Sequence, residues 1–168
     1  MVDITLSVVL FIPLYYDIKY GIIPNCFILS LFLSGLIINI YLNGAAGIFI
    51  TIGGFSLGLL IFLVPFLLGG LGAGDVKLVA AIGALKGAYF ILWDSFFIAV
   101  IGGVISLFVL IKENKLGKVM KLFNKLIYLI PLDDLVKQDE AESFPYGLAI
   151  VFGTWVFLLS RALNIWSG

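Results

Sequence analysis

Residues 48–75 read IFITIGGFSLGLLIFLVPFLLGGLGAGD. The run from Ile48 to Leu68 contains no charged residue, and a helix of about 20 apolar residues crosses the hydrocarbon core of a bilayer. Pro65 predicts a kink or an early stop near the end of this helix. Four glycines follow before Asp75, which is too much glycine for a stable helix interior. The stretch therefore predicts a membrane-spanning helix, then a loop or closely packed bend that leads to an aspartate.

The composition of the whole chain is also that of a membrane protein. Of the 168 residues 62% are hydrophobic and 12% are charged, whereas a soluble domain is about 45–50% apolar and about 25% charged. Six spanning helices would use about 120 residues, and the polar stretch from Lys112 to Glu142 takes much of the rest. We therefore predict an all-α, polytopic membrane protein of six transmembrane helices. Residues 1–168 form a single domain with tight connections and no separate soluble part.

Missing residue types exclude several kinds of site. The chain has no histidine and one cysteine, Cys26, so it cannot assemble a Ser-His triad, an imidazole-bound metal or a Cys-x-x-Cys site. Its formal net charge is zero, so no basic field recruits nucleic acid, and we expect no nucleic-acid partner. Cys26 itself is predicted to be a small packed residue.

The break between the fourth and fifth helices has two possible positions. A turn at Trp93-Asp94-Ser95 would give two nearly full spans, but it would leave Lys86 near the middle of the membrane, at a cost of about 2.5–3.5 kcal/mol. A turn at Lys86-Gly87 avoids that cost and is preferred. The fourth helix then has only about 12 residues, or about 18 Å, against a core of about 30 Å. Such a short helix starts below the membrane surface, which places Asp75 in a recess.

Lysine and arginine predict the orientation of the helices. If the connection after Asp17 is inside, the inner side holds most of the lysines, and the outer side holds Lys86 and Arg161, in agreement with the positive-inside rule. Both chain termini are then outside.

The inner loop between helices 5 and 6, about residues 112–143, has a pattern of its own. Lys118, Lys121 and Lys125 recur at helical spacing opposite apolar residues. This pattern predicts a cytoplasmic amphipathic helix whose lysines face the anionic headgroups of the lipid bilayer. A solvated connector with helical bias is the alternative.

Three acids adjoin the apolar runs, namely Asp17, Asp75 and Asp94. Asp17 closes the first helix and Asp75 opens the fourth helix at the same face, so the two lie at one depth. Two carboxyl groups held close together cannot both ionise easily, so they share one proton. Such a pair suits aspartyl-type hydrolysis, in which the carboxyl groups activate a water molecule. The alternative is that both acids only cap helix ends. Asp94 is predicted to be an outer-boundary residue.

Three segments resemble those of a known family, the prepilin peptidases or type IV leader peptidases. Gly72-Ala73-Gly74-Asp75 fits the Gly-x-Gly-Asp signature of membrane aspartyl proteases, and Val76-Lys77 continues it. Asp17 to Asn25, which ends Ile23-Pro24-Asn25, is similar to the other catalytic segment of the family. Phe144-Pro145-Tyr146-Gly147 is similar to the start of its last helix. The segments occur in the order of the family, so the resemblance covers nearly the whole chain.

The resemblance implies a specific activity. Prepilin peptidases cut the short basic leader from pilin-like precursors, next to the hydrophobic helix of the precursor, at the cytoplasmic face of a prokaryotic inner membrane. It implies Asp17 and Asp75 as catalytic residues, with no metal and no cofactor. The residues implied to bind substrate or shape the site are Pro24, Asn25, Gly72, Gly74, Lys77, Pro145, Tyr146 and Gly147.

The resemblance also separates subtypes. Bifunctional members of the family carry an inner loop with paired cysteines after the first helix, and this chain lacks that loop. It therefore looks like the short, peptidase-only form of Flp (tight-adherence) pilus systems, without methyltransferase activity. An archaeal preflagellin peptidase is a related possibility.

The same aspartates and glycines are also compatible with two other classes of function. A small proton-coupled transporter or channel would use Asp17 and Asp75 as protonation sites. A structural subunit of a pilus or secretion assembly would use its glycines for close helix packing.

Overall fold

The computed structural model describes residues 2–67, 70–112 and 146–163. Within these ranges the chain is helical and has no strand, as the all-α prediction requires. Pro145 and the proposed amphipathic segment lie outside the described residues. The described helices are α1 (Val2–Val9), α2 (Phe11–Tyr20), α3 (Asn25–Asn43), α4 (Ala46–Leu67), α5 (Ala73–Lys86), α6 (Ala88–Lys112) and α7 (Tyr146–Ala162).

The helices α1 and α2 form one nearly continuous helix, which we call the α1–α2 helix. Leu10 between them keeps a helical backbone, with φ −67° and ψ −13°. Its N–H donates to the Leu6 carbonyl at 3.0 Å, and its carbonyl accepts from Leu14 at 3.3 Å. The interruption arises because Pro13 has no N–H to donate to the Val9 carbonyl.

Among the described residues, three helices are long and apolar enough to cross a membrane. They span Asn25–Asn43, Ala46–Leu67 and Ala88–Phe108, with mean hydropathies of 1.9, 2.4 and 2.1. The helix α7 is apolar but shorter, with 17 residues. These helices indicate a multi-pass membrane protein.

The helix α5 is short and central. It has 14 residues, or about 21 Å, and nearly all of its residues from Asp75 to Leu85 are buried. It packs against α3, α4 and α6. Gly87 follows it with φ +86°, so the turn predicted at Lys86-Gly87 is confirmed. Lys86 forms an ion pair with Asp3 at the start of α1.

The start of α5 differs from the sequence-based expectation, in which Asp75 opens the fourth helix. The helix begins at Ala73, and Asp75 is its third residue. The reason is a local cap, because the Gly72 N–H donates to Asp75 Oδ2 at 3.1 Å. A side-chain acceptor at this position satisfies an N–H that a helix start would otherwise leave without a partner.

Cys26 is not packed as predicted. Its thiol is exposed, because α3 buries the face that carries Ile28, Leu31, Gly35 and Asn39. Cys26 precedes Ile28 by two positions, which places it on the opposite side of the helix.

A buried amide joins α3 to its neighbours. Asn39 Nδ2 donates to Thr51 Oγ1 at 3.0 Å and to the Ala84 carbonyl at 3.0 Å. It therefore binds the last turn of α5, where helix carbonyls lack partners within the helix. Close backbone contact helps, since a Cβ on Gly35 would lie 2.8 Å from Leu85 Cα.

Removing this amide should loosen α5. We expect Asn39→Ala to destabilise the protein by about 1–2 kcal/mol, because the buried Ala84 carbonyl loses its donor. Thermal unfolding in detergent measures the change, and the control is Asn43→Ala. Asn43 is exposed, and its Nδ2 donates at 3.3 Å to the backbone carbonyl of Asn39 in the same helix. Loss of the Asn43 side chain should therefore change stability much less. Equal melting of the two variants would contradict the role given to Asn39.

Candidate active site

The structure places Asp17 and Asp75 on the wall of one cavity of about 240 Å³. Asp17 lies in the last turn of α2 and Asp75 in the first turn of α5. Both side chains are buried, each with 7% of its surface exposed. The structure therefore brings together the two acids that the sequence places at the same face. The other residues on this wall are Gly21, Ile22, Ile23, Asn25, Gly72, Ala73, Gly74 and Lys77.

A tight reversal after α2 positions Asp17. Gly21 has φ +64°, and its N–H donates to the Asp17 carbonyl at 2.9 Å. This left-handed conformation favours glycine. The chain then runs to Pro24, which is the N-cap of α3. Pro24 itself is not among the residues that line the described cavity wall.

The start of α7 meets the Asp17 carboxyl group. An added Cβ on Gly147 would lie 2.6 Å from Asp17 Cγ, so this position has no room for a side chain. The N–H groups of Gly147 and Leu148 face the carboxyl group, and a helix N-terminus favours negative charge. Among the described residues, Asp17 Oδ2 has no hydrogen-bond partner. This oxygen is itself buried and lies against Gly147.

Asp75 is held by its own helix. Its Oδ2 accepts the Gly72 N–H, so the helix-capping interpretation is correct for this acid. The cap also fixes the carboxyl group at the cavity wall, and capping therefore does not compete with a chemical role. A Cβ on Gly72 would lie 3.1 Å from the same oxygen, which is closer than most Cβ contacts.

Two more of the predicted residues touch each other at this cavity. Lys77 Nζ donates to Asn25 Oδ1 at 3.3 Å, which joins α5 to the start of α3. The backbone of Gly74 lies near Ile23, since a Cβ there would be 3.4 Å from Ile23 Cβ. The segment Gly21–Asn25 and the start of α5 are therefore in direct contact.

Tyr146 lies elsewhere. It lines a neighbouring cavity of about 230 Å³ together with Gly70 and Leu71. Of the motif at the start of α7, it is Gly147 that reaches Asp17. Sequence reasoning missed Leu148, because nothing in its residue type reveals that its backbone N–H faces an acid.

Asp94 is not the boundary residue that the sequence predicts. Its side chain is completely buried, and Thr154 Oγ1 of α7 donates to its Oδ2 at 3.1 Å. It does not line the cavity that holds Asp17 and Asp75. The hydroxyl at the facing position of α7 satisfies one of the two oxygens of this buried acid.

The cavity offers two buried carboxyl groups beside a stretch of glycine-rich backbone. This arrangement can supply a general acid and a general base to one substrate. In the part of the chain that the structure describes, no three His, Cys, Asp or Glu side chains come together as metal ligands.

The chain matches the model of the type IV leader peptidase family over residues 4–118. This range contains Asp17, Asp75 and every other residue on the cavity wall, and it ends before α7. Neither the curated proteins nor the solved structures give a match. The contact between Gly147 and Asp17 therefore rests on the geometry of this structure.

Proposed function

Since the chain belongs to the type IV leader peptidase family, we propose that it is a membrane-embedded aspartyl endopeptidase. Its substrate is a prepilin-like precursor, from which it removes the short basic leader next to the hydrophobic helix. The observation that carries the proposal is the position of Asp17 and Asp75 on one cavity wall.

The proposed chemistry needs two carboxyl groups and water. The two acids share one proton, so one is ionised and the other protonated. The ionised member takes a proton from water as the water attacks the scissile carbonyl, and the protonated member donates to that carbonyl or to the leaving amine. Because Gly72 and Gly74 have no side chains, an extended substrate backbone can approach Asp75 closely.

The proposed topology has six spans, with the α1–α2 helix as the first, followed by α3, α4, α5, α6 and α7. Asp17 and Lys77 line the same cavity, and we assign that end to the cytoplasm. Lys86 pairs with Asp3 at the other end of these helices, so the N-terminus is outside, and the even number of spans places the C-terminus there too. The location is the cytoplasmic membrane of a prokaryote, with the lysines of residues 112–143 facing anionic headgroups.

The proposed subtype is a peptidase without methyltransferase activity. The connection between α2 and α3 is Gly21 to Pro24, which leaves no room for the cysteine-bearing loop of the bifunctional members. The only cysteine of the chain is Cys26. The short form associated with Flp pili fits this chain best.

Cleavage of a defined precursor tests the proposal. The purified protein is reconstituted in liposomes with a precursor that carries a basic leader and one apolar helix, and the products are weighed by mass spectrometry. We expect two fragments from a single cut next to the apolar helix. An uncut precursor beside inserted protein, together with proton flux across the same liposomes, would contradict the proposal and favour a transporter.

A further inference from the structure

An apolar groove lies between the α1–α2 helix and α3, and we call it the α1–α3 groove. Its volume is about 410 Å³. Leu85 of α5 forms part of its floor. The residues on its two sides include Thr5, Val9, Phe27, Ser30 and Ser34.

The groove exists because its two walls pack on different partners. The α1–α2 helix packs on α7, and Trp155 Nε1 donates to the Ser7 carbonyl at 3.1 Å. In contrast, α3 packs on α4 and α5. A short turn joins the two helices. Because they pack on different neighbours, a gap remains between them.

The groove and the cavity that holds Asp17 and Asp75 lie along the same two helices. One wall is the helix that carries Asp17, and the other is the helix that begins at Asn25 on the cavity wall. Val9 precedes Asp17 by eight positions, which corresponds to about 12 Å along a helix. An extended peptide covers that distance with about four residues. A substrate cut at the cavity can therefore enter the groove a few residues after the scissile bond.

The surface of the groove suits an apolar helix. Ser30 Oγ donates to the Cys26 carbonyl at 2.8 Å, and Ser34 Oγ donates to the Leu31 carbonyl at 2.8 Å. Each hydroxyl is satisfied on its own helix, so the groove does not require polar groups from an occupant. Small residues at 30 and 34 also let another helix approach closely, as in membrane helix pairs.

Another groove of about 410 Å³ lies along α1 and α7, and none of its lining residues belongs to α3. The rings of Phe11 and Trp155 stand 4.6 Å apart at the end of that groove nearest to Asp17. The α1–α3 groove is the better candidate, because one of its walls is α3, which begins at Asn25 on the cavity wall.

We propose that the α1–α3 groove binds the apolar helix of the precursor and so presents the scissile bond to Asp17 and Asp75. The inference rests on the proposed function and adds the place where the substrate docks. The groove recognises an apolar membrane helix, whereas the cavity acts on the extended peptide beside it.

Filling the groove with a large side chain tests this docking. Ser30→Trp and Ser34→Trp place an indole in the groove, and the matched controls are Leu29→Trp and Leu33→Trp. Leu29 and Leu33 lie on α3 one position away and are exposed, at 57% and 45%, and neither lines the groove. We expect the serine variants to raise KM for the full precursor about tenfold or more and the leucine variants to leave it within about twofold, since a tenfold change corresponds to about 1.4 kcal/mol of lost binding.

A short soluble peptide that carries the leader and the scissile bond, but no apolar helix, separates docking from chemistry. The groove-filling variants should cut this peptide as fast as the unmodified protein. Equal KM values of serine and leucine variants for the full precursor would overturn the docking proposal while the proposed function stands. If the unmodified protein cuts neither substrate, the proposed function itself fails.

Disulfide cross-linking locates the helix directly. In a Cys26→Ser, Asp75→Asn background, which keeps the precursor intact, a cysteine in the apolar helix of the precursor is oxidised against Ser34→Cys or Ser106→Cys. Ser106 lies in the other cavity near Tyr146. We expect cross-links at position 34 and none at 106. Cross-links at 106, or only between two copies of the protein through position 34, would overturn the proposal.

Discussion

Asp17→Asn and Asp75→Asn should each reduce leader removal by about 10²–10⁴-fold, since each substitution removes an acid or base that acts in the transition state. Asparagine has nearly the same shape as aspartate and can accept the Gly72 N–H through its Oδ1, so the Asp75 variant keeps the helix cap. The measurement is the single-turnover rate of precursor cleavage by purified protein.

Asp94→Asn is the matched control for this prediction. Asp94 is buried like the two cavity acids, but its partner is Thr154 and it does not line the cavity. We expect its cleavage rate to stay within about threefold, because the threonine hydroxyl can donate to an amide oxygen as well. If Asp94→Asn slowed cleavage as much as the other two substitutions, the effect would reflect loss of a buried carboxyl group rather than loss of a catalytic group.

Gly147→Ala should strongly reduce cleavage although Gly147 itself performs no chemistry. The new methyl group would overlap the Asp17 carboxyl group, with Cβ 2.6 Å from Cγ, so the carboxyl group or the start of α7 must move. A displacement of about 1 Å at a reacting group can cost about 10²-fold in rate. We expect a loss of that order in the cleavage rate, with melting temperature changed by only a few degrees.

Gly103→Ala provides the control. Gly103 is also a helical glycine, and a Cβ there meets no atom within 4 Å among the described residues. Its substitution should leave the cleavage rate unchanged and can stabilise α6 slightly, since alanine favours helix. A Gly147→Ala protein that cleaves at the rate of Gly103→Ala would show that the contact with Asp17 does not matter.

The sequence predicts the short helix α5 well because one energetic term dominates. A lysine in the middle of a membrane is costly, so the turn had to follow Lys86, and the structure has its turn at Gly87. The same argument placed Asp75 at the depth of Asp17, and both acids line one cavity.

Features that depend on contacts between distant segments were not predictable in this way. The close contact between Gly147 and Asp17 joins two segments 130 positions apart in the chain. Only the resemblance pointed to Gly147. The hydroxyl of Thr154 looks unremarkable in an apolar run, yet it is the partner of Asp94. The start of α5 at Ala73 was missed because glycine content argued against a helix there, whereas the Asp75 cap supports one.

The central claim is that Asp17 and Asp75 act together on one water molecule. Residues that act as a unit show non-additive losses, so the double variant Asp17→Asn, Asp75→Asn tests this claim most directly. Its single-turnover rate should equal that of the slower single variant within about twofold. A double variant whose loss is the product of the two single losses would show that the two acids act independently, and a single variant with full activity would remove that residue from the mechanism.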